Sequence, residues 1–66
     1  MLIQVNKIEF DFSYYDGEIL HEDEQKEVLN HVLIGPWWVE NEEDLVDTIS
    51  DEVNWCVKSI DYDVLS

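Results

Sequence analysis

The chain has 66 residues, and 45% of them are apolar; this suits one folded domain with a thin core and argues against disorder. Seventeen Asp and Glu face three Lys and no Arg, for a formal net charge of −14. That balance disfavours docking on nucleic-acid phosphates or an anionic membrane surface, both of which need basic groups, and makes a basic surface the natural partner.

Residues 2–14 read as a strand. Ile8, Phe10, Phe12 and Tyr14 alternate with Lys7, Glu9, Asp11 and Ser13, the period of a half-buried strand. Ile3 and Val5 fall on the opposite parity, so a bulge near Asn6, or a start that frays or is covered on both faces, is expected. Asp16-Gly17 is a turn signal that tolerates positive φ, and Glu18-Ile19-Leu20 either pairs back as a short hairpin arm or leads on as plain loop.

Residues 22–33 read as the first helix. Glu22, Asp23 and Glu24 suit its positive end, Val28, Leu29, Val32 and Leu33 form its apolar stripe, and Gly35-Pro36 stops it, with Gly35 as the cap. Trp37-Trp38-Val39 follows as a short strand, placed at an edge or a strand start by Pro36. Asn41 is a good N-cap for a second helix over 42–53, whose Leu45, Val46, Ile49 and Val53 recur at helical spacing; Asn54 ends it in a left-handed turn. Residues 55–65 form the last strand, with Ile60, Tyr62 and Val64 on one face. Trp55 and Val57 lie on the other parity, so a second bulge near Lys58, or cover on both sides, is expected.

The order β-α-β-α-β places residues 1–66 in one α/β (α+β) domain of two layers, a three-stranded sheet with both helices on one face. The pattern leaves strand order open; crossovers between parallel neighbours would be right-handed. No run approaches the roughly 20 apolar residues of a membrane span, and the alternating, acid-bearing start is not that of a signal peptide. A lone cysteine, Cys56, excludes an internal disulfide and suits a reducing, cytoplasmic setting.

Catalytic and cofactor signatures are weak. The two glycines stand apart, so no phosphate-cradling loop exists, and two histidines give no nucleophile triad that can be argued. The expectation is a non-enzyme without a cofactor. Asp11 to Gly17 superficially follows a calcium loop, but Tyr15 stands where an oxygen ligand belongs and Gly17 comes one residue late. His21 and His31 lack zinc-helix spacing, and Glu27 with His31 supplies only two ligands. Cys56 reads as a small core residue, because reactive thiols need a cationic neighbourhood.

Trp37-Trp38 is more informative. Neighbours in a strand point to opposite faces, so only one indole faces the helices. The other either packs in a small second cluster or stands exposed as a partner anchor. Among the acids, Glu43, Asp47 and Asp51 stand at i, i+4, i+8 on the second helix. Glu9 and Asp11 share the polar face of the first strand, as Asp61 and Asp63 share that of the last. If those strands are neighbours, four carboxylates crowd one sheet face, which lowers stability where like charges stand opposite. Solubility alone also accounts for such a surface.

The segment Asn41-Glu42-Glu43-Asp44-Leu45-Val46, followed by Asn54-Trp55-Cys56-Val57-Lys58-Ser59-Ile60-Asp61-Tyr62, resembles small acidic bacteriophage proteins, those of marine cyanophages in particular. In charge and size the chain is also similar to phage-encoded acidic inhibitors that imitate DNA and block nucleic-acid-binding host proteins. That likeness implies a binding module for a basic host protein and assigns no residue.

The expected docking surface comprises Glu9, Asp11, Trp38, Glu43, Asp47, Asp51, Asp61 and Asp63. Steered encounter through the carboxylates and anchoring by the indole would give it function. The alternatives are a homodimer built on an exposed aromatic and a sheet edge, and weak divalent-cation binding.

Overall fold

The computed structural model describes residues 1–66. It contains β1 (Leu2–Asp11), α1 (Glu22–Leu33), β2 (Trp37–Trp38), a 3-10 turn (Glu42–Asp44), α2 (Leu45–Val53) and β3 (Cys56–Val64). β1 is central, with β2 antiparallel on one side and β3 antiparallel on the other. β2 and β3 therefore run parallel without touching, and α2 lies on the connection that carries the chain across β1.

Two bulges solve the parity problem in the sequence. Val5 pairs with Tyr62 but Lys7 pairs with Asp61, leaving Asn6 as the extra residue. Ile3, Val5, Ile8 and Phe10 can then all turn inward, and all four are buried. Asn6 is held by its side chain, whose Nδ2 donates to Asp63 Oδ2 at 2.9 Å. In β3, Glu9 pairs with Ser59 but Phe10 with Val57, so Lys58 is the extra residue. Val57 thereby joins Ile60 and Tyr62 against the core.

One core results. Ile3, Val5, Ile8, Phe10 and Phe12 meet Val32 of α1 and Leu45 and Ile49 of α2, with Leu20 and Val39 closing it from the loops. The helices thus share one sheet face, and the other is open. Val46, expected in the stripe of α2, is 38% exposed.

β1 stops at Asp11 rather than reaching Tyr14. Asp11 Oδ1 accepts from Ser13 N–H at 3.1 Å and also from the Ser13 hydroxyl, which turns the chain. The hairpin does form: Ser13 bridges Ile19, Tyr14 N–H donates to Glu18 C=O at 2.7 Å, and Leu20 N–H to Phe12 C=O at 2.9 Å. Gly17 sits at its tip with φ 89°, where a side chain would be strained. Tyr14, read as inward, is half exposed because it belongs to this arm and not to the strand.

α1 spans the expected residues. Its N-cap is His21, whose Nδ1 accepts from Asp23 N–H at 3.2 Å. Gly35 is not a left-handed cap, since the helix ends through Ile34 in right-handed geometry. The second helix starts later than expected: residues 42–44 form a 3-10 turn, and Asn41 makes no capping bond to the backbone. Asn54 does adopt the left-handed conformation, at φ 63°, and donates to Ser50 C=O at 2.8 Å.

The molecule is elongated, 40 × 19 × 16 Å. Its Cα radius of gyration, 12.2 Å, exceeds the roughly 11 Å of a compact chain this long.

Candidate functional site

The tryptophan pair divides as strand geometry requires. Trp37 turns toward the helices, donates Nε1–H to the Val32 carbonyl at 2.9 Å, and meets the His31 ring edge-on at 6.4 Å. Trp38 pairs with Leu2 in register, so both side chains take the open sheet face. Trp38 is 70% exposed.

Trp38 also lines a groove where the β2 edge meets α2. Val39, Glu40, Asp44, Asp47, Thr48 and Asp51 complete it, around a volume of about 420 Å³. Four carboxylates therefore flank one exposed indole. No lysine lines the groove, and no lysine comes within 4 Å of a carboxylate elsewhere in the chain. With every Asp and Glu in the chain exposed, this negative potential reaches solvent.

Glu43 is not part of that groove. The line toward β2 runs Asp44, Asp47, Asp51, at the i, i+3, i+7 spacing of one helix face. Glu43 instead lines a hollow with Asn41, Glu42 and Tyr62. There Tyr62 donates its hydroxyl to Glu42 Oε1 at 2.6 Å, which holds the phenol above its ordinary pKa of 10.0.

Glu9, Asp11, Asp61 and Asp63 lie together on the open sheet face, since β1 and β3 are neighbours. Register keeps them from standing directly opposite one another: Asp61 faces Lys7, Asp63 faces Gln4, Glu9 faces Ser59 and Asp11 faces Cys56. Hydrogen bonds from the Ser13 hydroxyl and then its N–H hold the Asp11 carboxyl below its ordinary 3.8, with Lys58 helping at longer range. The eight residues expected to form one surface thus divide among the open sheet face, the α2 groove and the Tyr62 hollow, with Trp38 at the corner joining the first two.

Sequence patterning missed a second concave region. At the far end of β1, Asp11, Ser13, Tyr14 and Tyr15 face Val53, Asn54, Trp55 and Cys56 across a groove of about 780 Å³. Trp55 is packed edge-on by Phe12 at 5.3 Å and by Tyr14 at 5.4 Å. Cys56 is exposed here, not buried as expected, because it opens the edge strand β3 and its pairing with Asp11 places it on the uncovered face. The adjacent Tyr-Tyr pair ahead of Asp16-Gly17 was the available signal, once the hairpin is taken as formed.

No three His, Cys, Asp or Glu side chains are grouped so as to hold a metal ion, and no helix is long and apolar enough to cross a membrane. In comparison with known proteins, no family model matches the chain, and neither a curated protein nor a solved structure matches it.

Proposed function

We propose that this chain is a small acidic binding module that docks on a basic surface of another protein. Trp38 is its apolar anchor, and Glu40, Asp44, Asp47 and Asp51 form the charged rim. The observation that carries this reading is the 70% exposed indole inside a groove flanked by four carboxylates. Tryptophan is enriched among the few residues that dominate binding energy, and a charged rim chiefly raises the encounter rate. Glu9, Asp11, Asp61, Asp63 and Glu43 strengthen the long-range field from outside the contact. A nucleic-acid-binding groove is one basic surface of the required kind, and imitation of DNA by a phage product is the form of this reading that charge and size suggest.

Capture from host lysate tests the proposal in three arms: wild type, Trp38→Ala, and wild type with competing duplex DNA. The expected result is a basic nucleic-acid-binding protein retained at moderate salt, displaced by the DNA and lost with the variant. Retention of no basic protein, or equal retention by Trp38→Ala, would overturn it.

A homodimer is the second reading. It is favoured by the row formed by Trp38, Leu2 and Leu65, the last 55% exposed and donating its N–H to the Leu2 carbonyl at 2.7 Å. The charge of −14 on each copy opposes it. Sedimentation that stays monomeric at high micromolar concentration and moderate salt would remove this reading.

A further inference from the structure

We infer that the aromatic groove at the far end of β1 receives an arginine side chain from a protein partner. It is a second site, independent of Trp38: the two lie at opposite ends of a ten-residue strand, about 30 Å apart.

Three observations choose the occupant. The walls are aromatic and accessible: Tyr15 is fully exposed, Tyr14 is 49% exposed, and Trp55 is fixed edge-on between Phe12 and Tyr14. Ring faces carry negative potential and attract cations. The one charged group lining the groove is the Asp11 carboxylate. Both Ser13 hydrogen bonds fall on its Oδ1, so Oδ2 has no protein donor and is free to accept one.

Lys58 influences Asp11 without closing an ion pair within 4 Å, and it does not line the groove. The bound group must therefore be cationic and able to lie against a ring. Guanidinium does both, since it is planar, weakly hydrated, and able to stack while its N–H edge meets a carboxylate. An ammonium is more strongly hydrated and cannot stack. The volume of about 780 Å³ accommodates the whole side chain and flanking backbone.

The test titrates the ¹⁵N-labelled protein with the pentapeptide acetyl-Gly-Gly-Arg-Gly-Gly-amide at fixed ionic strength, beside peptides carrying Lys or Ala at the centre. The expected result is saturable shifts at the Trp55 indole N–H and the Tyr14, Tyr15 and Cys56 amides. The Lys peptide binds several-fold more weakly, and the Ala peptide shows no saturation. Asp11→Asn weakens arginine binding about threefold, and Tyr15→Ala about threefold; Asn keeps the Oδ1 acceptor that Ser13 uses and Tyr15 is fully exposed, so both variants keep the fold. Cys56 is the only thiol in the chain, and its alkylation by iodoacetamide slows as the peptide saturates. An equal response to the Ala peptide, unchanged affinity in both variants, or shifts scattered over the carboxylates would overturn the inference. Shifts confined to Trp38 and α2 would also overturn it while leaving the docking proposal standing.

Discussion

Truncating the two adjacent tryptophans separately should have unequal consequences. Trp37 is half buried, and its Nε1–H satisfies the Val32 carbonyl near the end of α1. Trp37→Ala removes that bond and opens a gap between β2 and α1, at a cost of about 3 kcal/mol, the low end for a tryptophan truncation. Trp38 is 70% exposed, so it hides under a third of a side chain that buries at most about 250 Å². At about 25 cal/mol/Å² the ceiling for Trp38→Ala is about 2 kcal/mol. Allowing for compactness of the unfolded chain brings it nearer 1 kcal/mol. A domain this size shifts its Tm by about 4–8 °C per kcal/mol, so Trp37→Ala should lose about 12 °C or more and Trp38→Ala about half that or less. Thermal unfolding followed by far-ultraviolet circular dichroism at fixed ionic strength measures both. Equal losses would mean that Trp38 is needed for folding, and the argument for a spare anchoring indole would fail.

Asn54, at φ 63°, occupies a conformation that a Cβ opposes; Asn54→Ala should cost about 1 kcal/mol and Asn54→Gly much less, read from denaturant midpoints. Stability should also fall away at both pH extremes for identifiable reasons. The Ser13 hydrogen bonds depress the Asp11 pKa below 3.8, so the stability Asp11 lends is present above that value and lost as pH falls through the lower folded one. The bond to Glu42 raises the Tyr62 pKa above 10.0, so its contribution is present below that value and lost as pH rises through the folded one. The stability gap between wild type and Tyr62→Phe should therefore shrink above pH 10.0; a gap constant across that range would show that the protonated hydroxyl is not what matters.

Much of the architecture was legible because hydrophobic period and parity are local. The flips at Asn6 and Lys58 marked real bulges, Asn54 marked a real left-handed turn, and adjacent tryptophans had to divide between faces. Strand order was not legible, since periodicity records which face a residue takes and not which strand lies beside it. The placement of β1 between β2 and β3 depends on long-range pairing. Cys56 was misread for the same reason: its small apolar side chain suits a core, but register puts it across from Asp11. The acidic line on α2 was read at i, i+4, i+8 from Glu43, but the face turned toward β2 carries i, i+3, i+7 from Asp44, and helical spacing alone does not say which face lies toward a neighbouring strand. The aromatic groove depends on a hairpin that the residues 12–20 permit without requiring.

The most direct test of the docking account is interface mapping on the labelled protein bound to a basic partner recovered by capture. The account predicts that cross-saturation concentrates on the Trp38 indole and on residues 44–51, and that raising salt slows association more than it speeds dissociation. An interface on the open sheet face that leaves the Trp38 indole in solvent would contradict it.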